Sequence, residues 1–168
     1  MNGVIGAESR HGEGSTFWIE LPEAENPVTF NETNNQFLND EPKVNSGTVL
    51  YIEDNRSNVD LIEQILAYQR PNIQLISMSD GKKAVDLAIR YRPNLILLDL
   101  NLQGIHGSEV LRTLRNNIQT SHIPVVILSA SALPEQIQEL KQAGATDYLT
   151  KPIDVAGFLN VVDQHFPA

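Results

Sequence analysis

The sequence predicts an α/β protein: a five-stranded, doubly wound parallel sheet with five helices, preceded by a separate β-hairpin. Three observations carry this. From Thr48 onward, apolar runs of strand length alternate with segments whose apolar residues recur at helical spacing, the pattern of successive β-α-β units. Several runs, such as Leu95 to Leu98 and Val125 to Leu128, are continuously apolar, as strands buried on both faces are. Right-handed crossovers, nearly obligatory between parallel strands, then divide the helices between two layers.

Taken in order, the first element is a hairpin. Thr16 to Leu21 alternates well enough for a half-buried strand, Gly12 and Gly14 mark a turn, and an earlier strand spans about Val4 to Ser9. A lone hairpin is marginally stable in water, so this one needs support or frays. Residues 22 to 46 follow, rich in asparagine and carrying Pro22, Pro27 and Pro42, with few groups to bury; they read as a linker. The five strands of the sheet are then Val49 to Ile52, Ile73 to Ser77, Leu95 to Leu98, Val125 to Leu128 and Asp147 to Leu149. Val59, Ile62, Ile65 and Leu66 form the stripe of a first helix before Pro71, and Ala84, Leu87, Ala88 and Tyr91 that of a second before Pro93. Ser108 reads as the N-cap of a third helix containing Val110, Leu111 and Leu114. Pro134 suits the first turn of a fourth, with Ile137 and Leu140 inward and Gly144 ending it. A fifth follows Asp154 with Phe158, Leu159 and Val162. The expected division is therefore a hairpin over 1–22, a linker over 23–46 and the α/β domain over 47–168.

Composition narrows the function. Across 168 residues, 41% are hydrophobic and 20% charged, with a net charge of −9, the make-up of a folded water-soluble chain. The charge is uneven: −6 over residues 1 to 46 and −3 beyond. Such a balance offers no electrostatic footprint for nucleic acid and suits a cation or a basic partner. The absence of cysteine removes disulfides, thiol nucleophiles and thiolate-bound zinc. No apolar run approaches the roughly 20 residues of a membrane span, and the first residues lack the pattern of a secretory signal. The expectation is a cytoplasmic protein with no direct contact to nucleic acid or membrane.

The chemistry lies in what ends each strand. Glu53 and Asp54 follow the first, Asp99 the third, Ser129 the fourth, and Lys151-Pro152 comes two residues after the last. In a parallel sheet all carboxyl ends share one edge, where open α/β folds bind ligands, so these residues should converge. Three carboxylates in one cleft repel each other unless a cation neutralises them, and an all-oxygen donor set favours Mg²⁺. A lysine and a hydroxyl beside such an ion suit a phosphoryl group. Asp99 would then be a nucleophile that forms an aspartyl phosphate. The four histidines, His11, His106, His122 and His165, show no metal-ligand spacing and read as solvated or structural.

The motifs Ile52-Glu53-Asp54-Asn55, Leu97-Leu98-Asp99-Leu100-Asn101, Leu128-Ser129-Ala130 and Gly144 through Lys151-Pro152 together resemble those of the receiver domain of two-component response regulators, over about residues 47 to 168. The resemblance implies a flavodoxin-like sheet of order 2-1-3-4-5. It also implies that Asp99 is the phosphoacceptor, that Glu53, Asp54 and the backbone carbonyl of Asn101 join Asp99 around Mg²⁺, and that Ser129 and Lys151 hold the phosphoryl oxygens. Tyr148 would be a rotameric switch coupled to Ser129, and the Lys151-Pro152 bond would be cis. The donor would be a histidine kinase or a histidine phosphotransfer domain, and the chain would catalyse its own phosphorylation and dephosphorylation without being an enzyme toward a separate substrate. Output would then pass through another protein, and a homodimer stays open. Two departures stand out: Gln103 where the family commonly has proline, and a Glu-Asp rather than Asp-Asp acidic pair.

The segments Gly3 to Ser9 and Gly12 to Pro22 resemble the closing hairpin of a histidine-kinase ATPase domain, without the boxes that hold ATP. The order of kinase tail, linker and receiver resembles the C-terminal part of a hybrid sensor histidine kinase. Two other readings compete. A metal-dependent phosphatase with an aspartyl nucleophile would want Asp-x-Asp after the first strand, whereas here the candidate follows the third as Asp99-Leu100-Asn101, without a second carboxylate for acid-base work. A binding-only scaffold would have no need of the intact acidic set.

Overall fold

The computed structural model describes residues 4–10, 12, 14–20, 46–131 and 133–166. The chain divides into two units, Met1–Glu41 and Pro42–Ala168. Apart from Ser46, the expected linker lies outside the described residues.

In the first unit, β1 (Val4–Arg10) pairs antiparallel with β2 (Gly14–Glu20), from Val4 opposite Glu20 to Arg10 opposite Gly14. Gly12 and Gly14 both carry positive φ, 83° and 103°, which is why glycine occupies this turn. Strand alternation puts Ile5, Phe17 and Ile19 on one face of the ribbon, and all three are exposed.

The second unit is the α/β domain. Its strands are β3 (Gly47–Ile52), β4 (Ile73–Met78), β5 (Leu95–Asp99), β6 (Val125–Ser129) and β7 (Asp147–Thr150). All pair in parallel in the order β4-β3-β5-β6-β7, which is 2-1-3-4-5 within the domain. The helices are α1 (Arg56–Gln69), α2 (Ala84–Tyr91), α3 (Gly107–Asn116), α4 (Pro134–Gln142) and α5 (Val155–His165). Alternation along the strands sorts their side chains into two cores. Leu50, Ile52, Ile96, Leu98, Val125 and Ile127 pack with α2, α3 and Leu140 of α4 on one side. Val49, Tyr51, Leu95, Leu97, Val126 and Leu128 pack with Val59, Ile62 and Leu66 of α1 and Phe158 and Val162 of α5 on the other. Burial of both faces accounts for the unbroken apolar runs.

Helix ends follow local chemistry. Asn55 caps α1 through Ser57 N–H at 3.0 Å, and Asp154 caps α5 through Gly157 N–H at 2.7 Å. After α4, Gly144 at φ 102° lets its own N–H reach the Lys141 carbonyl and that of Ala145 the Leu140 carbonyl, a Schellman ending. On the α1/α5 side, Arg70 grips Asp163 with two parallel 2.7 Å hydrogen bonds, Nε to Oδ1 and Nη2 to Oδ2.

Two local expectations are corrected. The cap of α3 is His106, whose Nδ1 accepts from Ser108 N–H at 3.3 Å; Ser108 sits in the first turn. The helix starts early because Gly107 abuts the end of β5: a Cβ there would lie 2.3 Å from the Asp99 carbonyl oxygen. Tyr91 is exposed rather than inward. It is the last residue of a two-turn helix, with no following turn to cover it, and the Arg90 guanidinium lies 5.3 Å from its ring centroid.

Candidate functional site

The carboxyl ends of β3, β5, β6 and β7 bring the strand-terminal residues to one rim. Asp99 is the last residue of β5 and Ser129 the last of β6, while Glu53 and Asp54 directly follow β3 and Lys151 directly follows β7. The Lys151–Pro152 bond is cis. Each backbone is locked by the ladder or its extension: Glu53 N–H donates to the Met78 carbonyl at 3.0 Å and Lys151 N–H to the Ser129 carbonyl at 2.8 Å.

The side chains converge as well. Ligand oxygens of Glu53, Asp54 and Asp99 all lie within 4.8 Å of one another. Glu53 and Asp99 are buried, at 2% and 4% exposure. Lys151 Nζ bridges them, 2.6 Å from Glu53 Oε2 and 3.0 Å from Asp99 Oδ1. Despite that ion pair, Asp99 Oδ1 is buried without a properly aligned hydrogen bond. An oxygen in that state retains a lone pair to offer, and three clustered carboxylates against a single ammonium leave negative charge in excess. This donor set fits a hard divalent cation of the magnesium kind.

The two buried acids titrate in opposite directions. Burial pushes the Glu53 carboxyl up, but hydrogen bonds from Lys151, Tyr51 and Asn58 outweigh it and the net direction is down. For Asp99, burial leads and the neighbouring Glu53 charge adds to it; Lys151 offsets only part, and the net direction is up.

The remaining expected residues sit nearby with different engagements. Ser129, at 2% exposure, accepts the Ser131 N–H on its Oγ at 3.2 Å. Asn101 lies two residues beyond β5, and its backbone N–H acts on the Asp99 carboxylate. Tyr148, half-buried in β7, donates its hydroxyl hydrogen to the Ser131 carbonyl, so Tyr148 and Ser129 meet at the same residue after β6. His106 serves as a helix cap, in keeping with a structural role; His11 lies outside the described residues.

Two groups contribute to the site in ways the sequence reading does not assign. Tyr51 in β3 donates to Glu53 Oε2 at 2.7 Å. Its signal was present, since a tyrosine buried in an aliphatic strand needs a partner for its hydroxyl. The Gln103 N–H donates to Asp54 Oδ2 at 3.0 Å; a main-chain donor has no side-chain signature, although proline at that position would have ruled it out.

Comparison with known proteins assigns the family. The family model described as response regulator receiver domain matches residues 49–163. The polar-differentiation response regulator DivK of Brucella anthropi is 31% identical over 118 residues, covering 70% of this chain and 94% of DivK. Among solved structures, the receiver domain of sensor histidine kinase PA1611 from Pseudomonas aeruginosa, with a magnesium ion in its active-site cleft, superposes with a TM-score of 0.63 at 30% identity, covering 71% of this chain and 96% of that one. The chemotaxis protein CheY4 of Vibrio cholerae gives 0.66 at 26% identity, covering 72% and 99%. With a buried aspartate, its acidic neighbours and a bridging lysine on the carboxyl rim of this sheet, the chain belongs to the response regulator receiver domain family.

Proposed function

We infer that this chain is the acceptor stage of a phosphorelay, in which Asp99 takes a phosphoryl group from a phosphohistidine on a histidine kinase or histidine phosphotransfer partner. The observation that carries this reading is the Lys151 ammonium between Glu53 and Asp99, beside three carboxylates close enough to share an ion. Magnesium, held by Glu53, Asp54, Asp99 and the Asn101 carbonyl, would supply the positive charge that lets an anionic donor approach an anionic nucleophile; the ion in the PA1611 cleft supports that choice. Asp99 attacks through a carboxylate oxygen: an O–P bond forms, the P–N bond of the donor breaks, and the imidazole nitrogen keeps the electron pair. Lys151 offsets charge on the transferred group, and the Ser129 hydroxyl donates to one of its oxygens.

In this reading the chain is acceptor and catalyst of its own modification, and signalling follows from a change of surface. Tyr148 and Ser129, which share Ser131, are the switch; the surface formed by the last two strands and helices, β6, β7, α4 and α5, is where a partner reads it. Among the described residues, no helix is long and apolar enough to cross a membrane, which supports a cytoplasmic setting. The β1–β2 hairpin supports a wider assignment, the tail of a histidine-kinase ATPase domain within a hybrid sensor kinase. Coding sequence upstream of Met1 tests that part: in-frame ATPase boxes are expected, and their absence refutes it.

Acceptor chemistry is tested by incubating the chain with acetyl phosphate and Mg²⁺ and measuring its intact mass. One added phosphate is expected, lost in Asp99→Asn and lost on chelation of divalent cations. Full labelling of Asp99→Asn, or labelling without a divalent cation, overturns the assignment.

A further inference from the structure

Tyr51 carries a hydroxyl that its position in the core does not require. The ring is fully buried and belongs to the cluster between the sheet and helices α1 and α5. Phenylalanine would fill that space equally well. The hydroxyl instead reaches along the face that Tyr51 shares with Glu53, two residues on, and donates to Oε2 at 2.7 Å. Lys151 Nζ meets that same oxygen at 2.6 Å, while Oε1 takes the Asn55 N–H at 3.2 Å.

These donors differ in how firmly they are held. Lysine brings a point charge on a flexible stem, and here Asp99 shares it. The tyrosine ring is packed on all sides, so its oxygen is a fixed point. Glutamate has one more rotatable bond than aspartate, and the phenol is the side-chain donor to its carboxylate whose position core packing fixes. We propose that Tyr51 is a positioning residue: its hydroxyl holds the carboxylate of Glu53 in one orientation toward the cation site shared with Asp54 and Asp99. This rests on the reading of those three acids as the magnesium site. It makes Tyr51 and Glu53 a matched pair, in which the longer acid is compatible with the site because a buried phenol fixes it.

Magnesium titration calorimetry on the full chain tests the pairing, using Tyr51→Phe, Glu53→Asp and the double variant, with thermal unfolding run alongside. Tyr51→Phe is expected to weaken Mg²⁺ binding about tenfold, the low end for loss of a group that orients a metal ligand, because Lys151, Asn55 and Asn58 still hold the carboxylate. The aspartate of Glu53→Asp ends roughly 1.5 Å short, one C–C bond, and does not reach the phenol. In that background Tyr51→Phe is expected to change affinity less than twofold. A purely structural role for Tyr51 would lower the unfolding midpoint and affect binding equally in both backgrounds. Unchanged affinity in Tyr51→Phe, or equal losses with and without Glu53→Asp, overturns the positioning role and leaves the metal site standing. Failure of the parent chain to bind Mg²⁺ overturns both.

Discussion

Gly107 stands where α3 meets the end of β5, and its replacement by alanine turns that contact into a measurable cost. A Cβ there would sit 2.3 Å from the Asp99 carbonyl oxygen and 2.7 Å from Leu100 Cα, where ordinary contact begins at 3.4 Å. The shortfall is about 1 Å against main chain, which cannot rotate aside as a side-chain tip can. Overpacking of this kind costs about 3 kcal/mol at the upper end of its usual range, and the better helix propensity of alanine returns at most about 1 kcal/mol. A net loss of about 2 kcal/mol corresponds to roughly 8 °C in Tm for a domain of this size. The assay is thermal unfolding followed by circular dichroism, paired with acetyl-phosphate labelling, because relief of the clash moves the backbone of Asp99 itself. Gly104→Ala is the comparison: nothing lies within 4 Å of its Cβ position, but φ is +78°, so only the left-handed backbone penalty of about 1 kcal/mol applies. Slow labelling is expected in Gly107→Ala alone. A Gly107→Ala midpoint within 1 °C of the parent, by the same scale, would refute the idea that α3 and β5 are in rigid contact at this point.

Two further outcomes follow from electrostatics. Asp99 has its folded pKa raised above the ordinary 3.8, so its ionised form destabilises the fold above the folded pKa, and the penalty fades as pH falls toward 3.8. Asp99→Asn, measured in excess chelator, is therefore expected to raise the unfolding midpoint at neutral pH and to lose that advantage on acidification; stabilisation that grows toward acid would contradict the assigned direction. Arg70 and Asp163 are paired by two 2.7 Å bonds with side chains only 14% and 27% exposed. Arg70→Met should lower stability by about 1 to 2 kcal/mol in denaturant titration, between exposed and buried pairs, while phosphate labelling stays at the parental level; an unchanged unfolding midpoint would show the pair to be idle.

The sheet and the acidic rim were legible for the same reason. Buried parallel strands leave unbroken apolar runs, so the first polar residue after each run marks the carboxyl edge, and Glu53, Asp99 and Ser129 identify themselves by interrupting Val-Leu-Tyr-Ile, Leu-Ile-Leu-Leu and Val-Val-Ile-Leu. What stayed hidden depends on tertiary approach or on main chain. Ser108 is a better intrinsic cap than His106, yet the fit of Gly107 against β5 sets where α3 begins. Tyr91 has the spacing of the inward stripe but lies at the end of its helix. The Gln103 amide leaves no mark in composition or periodicity, and Tyr51 reads as one more residue of a buried strand until its hydroxyl is traced to Glu53.

The bond from Gln103 N–H to Asp54 Oδ2 alters how the cleft meets an ion. It ties the crossover after β5 to the one after β3. A carboxylate tethered in this way has less conformational freedom to lose when it takes a ligand. Proline in place of Gln103 would stiffen the crossover yet cut this tether, so the departure from the family's habit exchanges rigidity within one loop for a link between two.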